Sequence, residues 1–270
     1  MHVEGIIIHK TPYKERDVIC NLLLRSGKKL SVYIYGGQGG GKSQKGSIIE
    51  LGFMLGLELN TRTKRSESNL KTVKEYSLIW KADKIRDNFQ AFYLMTFYLE
   101  YIAKISIDED LDNHVGNEHA GLFNVLSNSL FYLNKALETD QFVPARHLFL
   151  FLAKLASRIG VLPELEECLF CKMDLDKSMC VFDHKDGGFI CHDCYSQRDE
   201  FLSENKVLLE EFNASKALRE KLKLSLTLPY EKYPVLHDIT MGQNTGLFNY
   251  INYQFSIEAK DVKTWGMVSI

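Results

Sequence analysis

From residue 5 to about residue 80, apolar residues recur at every second position, the spacing of strands with one buried face. Gly5-Ile6-Ile7-Ile8 opens the pattern. Residues 17–24 then set Val18, Cys20, Leu22 and Leu24 against Ile19, Asn21 and Leu23. After the turn Ser26-Gly27-Lys28-Lys29, Leu30, Val32 and Ile34 share one face of the next strand, and Ser31, Tyr33 and Tyr35 share the other. Residues 49–59 keep Ile49, Leu51, Phe53, Leu55, Leu57 and Leu59 in phase, with Gly52 and Gly56 placed to relieve curvature. A fifth strand is expected within residues 70–79. Five short strands with glycine kinks predict a small closed barrel of the OB-fold type.

Beyond residue 86 the period lengthens to three and four. Phe89, Phe92, Tyr93, Phe97, Glu100 and Tyr101 follow it within a stretch apolar on most sides, which predicts a buried helix. A second helix is expected over about 118–137. A third runs from Pro144, a favourable first helical residue, to Ile159 before Gly160. Further helices are expected at about 203–226 and 246–255. The fold class is therefore α+β and multidomain. Residues 1–80 form an OB-fold nucleic-acid-binding domain, and residues 81–270 a helical domain with a metal ribbon inserted at about 165–197.

That ribbon rests on Cys168-Leu-Phe-Cys171 and Cys191-His-Asp-Cys194, two Cys-x-x-Cys pairs separated by 19 residues. A two-residue gap lets both sulfurs of a pair turn toward one point ~2.3 Å away, and two such pairs complete a tetrahedron. Cys180-Val181-Phe182 and Phe189-Ile190 read as the arms of a hairpin that turns at Asp186-Gly187-Gly188. Disulfides or a redox thiol pair compete with this reading. The first needs an oxidising compartment and the second a βαβ context, and the sequence suggests neither. One structural Zn²⁺ per chain, held by Cys168, Cys171, Cys191 and Cys194, is the expectation, with no open position for catalysis.

Composition adds a polarity to the chain. The formal net charge is −2, but residues 1–81 hold 14 Lys/Arg against 7 Asp/Glu while the remainder holds 19 against 28. The front of the chain is suited to a polyanion. The start lacks a signal-peptide pattern and no apolar run reaches the ~20 residues of a membrane span, so a cytoplasmic protein without membrane partners is expected. The histidines are scattered without partners at a telling spacing, and no enzyme is expected.

One motif points elsewhere. Gly36 to Ser43 satisfies the G-x-x-x-x-G-K-[ST] pattern of a phosphate-binding loop, which makes a nucleotide-binding protein the alternative reading. Such a loop opens a helix, whereas Gln44 to Ile48 leads back into period-two alternation. A barrel loop presenting Lys42 and Lys45 to a phosphate backbone fits better.

Taken in order, Gly5-Ile6-Ile7, Tyr13-Lys14-Glu15-Arg16-Asp17, Gly27-Lys28-Lys29-Leu30-Ser31, Lys42-Ser43, Arg158-Ile159-Gly160 and the two cysteine pairs around Gly187-Gly188-Phe189-Ile190 resemble the bacterial recombination mediator family RecO. The resemblance spans most of the chain. It implies an N-terminal OB-fold, a helical domain with a structural zinc ribbon, and binding of single- and double-stranded DNA. It also implies annealing of complementary strands and, with RecR, loading of RecA on DNA coated by single-stranded DNA-binding protein (SSB). A cytoplasmic, nucleoid-associated location follows. The basic positions expected on DNA are Arg16, Lys28, Lys29, Lys42, Lys45, Arg62, Lys64 and Arg65, with Tyr33 and Tyr35 either stacking on bases or packing on the barrel.

Overall fold

The computed structural model describes residues 1–38, 48–60, 70–109, 120–197 and 205–269, with side chains from 210 onward in the last stretch. Five strands close a barrel: β1 (His2–Tyr13), β2 (Asp17–Leu24), β3 (Lys29–Ile34), β4 (Met54–Leu59) and β5 (Lys71–Trp80). Neighbours follow the order β1-β2-β3-β5-β4, and β4 pairs back onto β1. Every pairing is antiparallel except β3 with β5, which meet in parallel at Val32–Lys71 and Tyr33–Thr72. This is the five-stranded barrel topology of the OB-fold.

The alternation in the sequence explains the interior. Val18, Cys20 and Leu22 of β2 meet Leu30, Val32 and Ile34 of β3 and Leu55, Leu57 and Leu59 of β4 inside the barrel. Each large side chain withdrawn from water stabilises the fold by ~1.5–3 kcal/mol. One stretch departs from expectation. Residues 49–59 alternate as if they were one strand, yet the chain turns at Leu51-Gly52 and β4 begins only at Met54. Gly52 has φ +79°, and a Cβ there would lie 2.7 Å from the Met95 sulfur. Ile49 still joins the barrel core from the loop, so the period persists although the strand does not.

Three helices follow: α1 (Asp83–Arg86), α2 (Phe89–Ile105) and α3 (Ala120–Glu138). Asn88 starts α2 by accepting the Ala91 N–H at 3.0 Å. Leu94, Met95, Phe97, Tyr98, Tyr101 and Ile102 are buried; of the positions the pattern singled out, Phe97 and Tyr101 are among them, Phe92 and Glu100 are half-buried, and Phe89 and Tyr93 are exposed. These helices belong to the same compact unit as the barrel, made of Met1–Pro144 with Val262–Val268 returning to it. Helical period identifies such helices; it does not say which core they share.

Glu100 on α2 fastens the returning segment. Its carboxylate accepts the backbone N–H groups of Lys263 (3.0 Å) and Thr264 (2.9 Å) and the Thr264 hydroxyl (2.6 Å). Burial pushes this carboxyl up, but those donors and the charge of Lys104 outweigh it and hold its pKa below the ordinary 4.5. A folded pKa that is lowered adds stability present above the unfolded value and lost as pH falls through the folded one. Glu100→Gln is therefore expected to be less stable than wild type at neutral pH, by at most about 1 kcal/mol because the site is only partly buried. The gap should close below about pH 4.5, the unfolded-state value. Denaturant midpoints measured across that range check it, and a pH-independent gap would contradict the assignment.

The second compact unit is Ala145–Asp261. Helix α4 (Pro144–Arg158) runs through it with His147 to Ala153 buried without a break, and Gly160 at φ +77° ends the helix region. The ribbon follows as β6 (Cys180–Asp183), β7 (Gly188–Cys191) and α5 (His192–Ser196), and then come α6 (Asn205–Thr227) and α7 (Met241–Gln254). Lys154 on α4 donates to the carbonyls of Leu226 (3.3 Å) and Leu228 (2.8 Å) at the end of α6. Asn244 on α7 donates to the Ala145 carbonyl at 2.9 Å. Thr240 and Gln243 form a reciprocal cap at the start of α7. Among the described residues no helix is long and apolar enough to cross a membrane.

Candidate metal centre and nucleic-acid surface

The first cysteine pair sits on a tight loop. The Cys168 N–H donates to the Met173 carbonyl (2.8 Å) and the Lys172 N–H to the Cys168 carbonyl (3.1 Å), with Lys172 at φ +60°. The second pair is delivered by the hairpin. Its strands register Cys180 with Cys191 and Asp183 with Gly188, and the turn between them contains Gly187 at φ +87°. Cys191 ends β7, and Cys194 lies on α5 immediately after it.

These elements bring the sulfurs of Cys168, Cys171, Cys191 and Cys194 within 4.8 Å of one another, and Cys171 and Cys191 are 3.6 Å apart. A tetrahedral ion with ~2.3 Å bonds to sulfur separates its ligands by roughly 3.8 Å, so the set has the size of one such site. Its electrostatics agree. Burial opposes ionisation of Cys168, but the N–H groups of Cys191, Cys171 and Phe170 outweigh it and bring this pKa down to about 6. Burial and the neighbouring thiols push Cys194 up to about 12. Four thiolates do not form side by side unless a cation sits among them.

Other candidate ligands stand apart. The His192 ring packs against Phe212 with centroids 5.5 Å apart, and His184 is exposed on the hairpin turn. Cys180 is buried in the ribbon and its thiol is pushed up by that burial. Cys20 lies in the barrel core and is pushed up to about 12 for the same reason. All six cysteines are free of disulfides.

The barrel carries the second candidate site. Arg16 is exposed in the turn between β1 and β2. Beside it, Tyr13, Tyr33 and Tyr35 meet edge to face, with centroids 5.6 Å apart for the first pair and 4.6 Å for the second. Tyr33 is packed: it is 8% exposed, and its hydroxyl donates to the Asp17 carboxylate. That hydrogen bond first, then burial, raises the phenol to about 12 and leaves it protonated. Tyr35, by contrast, is 66% exposed. The Lys14 ammonium lies 5.5 Å from the Tyr13 ring centroid. Sequence reading named Tyr33 and Tyr35 together; the contact with Tyr13, twenty residues earlier, separates their roles.

The glycine-rich segment starts against this cluster. The Gly36 N–H donates to Asp17 (2.9 Å), and the Gln38 side chain donates to the carbonyls of Asp17 (2.7 Å) and Lys14 (3.2 Å). Residues 39–47, where a phosphate-binding loop would open its helix, lie outside the described residues; residues 49–53 beyond them form a turn that leads into β4.

Of the remaining expected cations, Lys42, Lys45, Arg62, Lys64 and Arg65 lie outside the described residues. Lys28 and Lys29 lie at the other end of β2 from Arg16, and both are paired. Lys28 is 8% exposed and faces Glu109 at 3.4 Å; Lys29 faces Asp108 at 3.4 Å. Their backbone joins the same contact, since the Lys29 N–H donates to the Ile107 carbonyl and the Glu109 N–H to the Lys29 carbonyl, each at 2.7 Å.

Residues 111–213 match the family model described as the C-terminal part of recombination protein O. The chain is 28% identical to a DNA repair protein RecO of Bacillus pumilus over 194 residues, 72% of this chain and 68% of that one. The Bacillus subtilis protein of the same name is 27% identical over the same shares. The one from Thermodesulfovibrio yellowstonii is 26% identical over 197 residues, 72% and 69% of the two chains.

Proposed function

We propose that this chain, which belongs to the RecO family, is a DNA-binding mediator of recombinational repair that anneals complementary single strands without catalysing bond chemistry. The observation that carries the reading is the OB barrel with exposed Tyr35 and Arg16 beside the start of a lysine-bearing loop. OB-folds bind oligonucleotides on the face of β2 and β3 and with the loops joining β1 to β2 and β4 to β5. Tyr35 follows β3, Arg16 lies in the first of those loops, and Arg62, Lys64 and Arg65 lie in the second.

Phosphate contacts from Arg16, Lys42, Lys45, Arg62, Lys64 and Arg65 release counterions, which makes binding salt-dependent and blind to sequence. Lys28 and Lys29 contribute least, because Glu109 and Asp108 already match their charges. Tyr35 supplies a stacking surface that every base can use. Annealing follows without a chemical step: two strands held on one electropositive surface repel each other less.

The partners of this reading are single- and double-stranded DNA, RecR and SSB, with RecA loaded indirectly, in the cytoplasm at the nucleoid. One Zn²⁺ per chain, held by Cys168, Cys171, Cys191 and Cys194, stabilises the ribbon and takes no part in catalysis.

Tyr35→Ala is expected to weaken single-stranded DNA binding by roughly 5- to 150-fold, the equivalent of ~1–3 kcal/mol for one stacked base. Its salt slope should be unchanged, and Tyr35→Phe should bind as wild type does. Fluorescence anisotropy over a salt series reads both quantities. An alanine variant that binds normally would remove this face of β3 from the interface.

A further inference from the structure

We propose that Arg219, on α6, is a positioning residue for the metal centre: its buried guanidinium clamps both stems of the first cysteine loop and sets how fast the metal leaves. This rests on reading the four cysteines as a metal site.

The loop bearing Cys168 and Cys171 is closed by its own backbone. Its stems are bridged at Glu167–Asp174, and the Leu175 N–H donates to the Glu166 carbonyl at 2.9 Å. Arg219 reaches both stems from a helix more than forty residues later. Its Nε donates to the Leu165 carbonyl, Nη1 to the Leu175 carbonyl (3.4 Å), and Nη2 to the Asp176 carboxylate. The Arg219 side chain is only 4% exposed, a burial that a permanent charge tolerates only where hydrogen bonds and a counter-charge meet it. Leu165 and Leu175 are buried as well, so water is poorly placed to replace the guanidinium at their carbonyls.

Neighbours on α6 extend the clamp. Lys223, one turn on, pairs with Glu166 and Asp176, one from each stem. Ser215, one turn back, accepts the Phe182 N–H of β6 at 2.9 Å, which steadies the hairpin bearing Cys191. The planar guanidinium spreads its donors over three nitrogens and so spans acceptors on both stems, whereas a lysine presents its donors from a single nitrogen. A metal ion leaves when its ligand loop opens and the sulfurs separate one after another. With both stems tied to a helix, a broken bond to sulfur re-forms before the next one breaks.

The test uses full-length protein loaded with Zn²⁺, with release timed by a chromogenic chelator and unfolding temperature measured in parallel. Arg219→Met is expected to release metal about tenfold faster or more, the usual scale for loss of a group supporting metal ligands. Arg219→Lys should fall between it and wild type. Leu152→Ala, which truncates a buried side chain of α4, should lower the unfolding temperature and keep wild-type release. Wild-type release by Arg219→Met, or equally fast release by Leu152→Ala, would overturn the proposal. If Arg219→Met does not fold, Arg219→Lys decides, and wild-type release by that variant overturns it. Wild-type protein that binds no Zn²⁺ would instead defeat the metal reading beneath it.

Discussion

Serine in place of Cys191 is expected to empty the metal site and unfold the ribbon over residues 165–197. The ribbon's own means of stability are small. Strands β6 and β7 have four residues each, and the apolar side chains inside them are few: Val181, Phe189 and Ile190. Isolated two-stranded hairpins are marginal in water. Against this, structural Zn²⁺ binding in small ribbons contributes about 10–16 kcal/mol of folding free energy, far more than the hairpin supplies. Zinc content should fall from one equivalent to none, and amide hydrogens of β6, β7 and the 168–175 loop should exchange with little protection. Amides of β1–β5 in the barrel serve as the internal reference. Exposure to a strong chelator should reproduce the variant. Persistent protection in the ribbon without metal would show that packing against α6 suffices, and the zinc reading would lose its physical basis.

The second large effect is expected from Arg62→Ala, Lys64→Ala and Arg65→Ala combined. Each phosphate contact to a single strand adds about 0.7 to the slope of log affinity against log salt. Loss of three should flatten that slope by about 2 and weaken binding by one to two orders of magnitude at low salt. The loss should be similar for every sequence, because phosphates carry no base identity. The parallel variant Lys28→Ala/Lys29→Ala is a sharp control. Those two lysines carry the same charge but are paired with Glu109 and Asp108, so their removal should change stability more than the salt slope. An unchanged slope in the triple variant would remove the β4–β5 connection from the DNA footprint.

Much of this was legible in the amino-acid sequence, and the failures have common causes. Strand β2 could be bounded from alternation alone, because one wall of a closed barrel is buried along its whole length. The same rule overran at residues 49–59, where Ile49 fills the barrel core from a loop. Period reports burial, and burial is not confined to strands. The four-cysteine cluster was legible because spacing within a pair fixes its local geometry, and the hairpin between the pairs carries its own turn residues. Partnerships across long separations were not. Net charge placed Lys28 among available cations, but Glu109, 81 residues later, is its partner. Arg219 bonds Leu165, 54 residues earlier, and nothing local distinguishes it from Lys216, exposed on the same helix. Tyr33 of β3 and Tyr35 just after it alternate onto one side, and contacts with Tyr13 and the Asp17 carboxylate accompany the burial of the first while the second stays in solvent.

The central claim is that this chain brings complementary strands together, and strand annealing tests it most directly. Two complementary oligonucleotides, bare or coated with SSB, are mixed with the protein over a salt series without nucleotide. The account predicts accelerated annealing in both cases, falling steeply as salt rises and diminished by Tyr35→Ala. Annealing no faster than the spontaneous rate, or acceleration that requires added nucleotide, would contradict it.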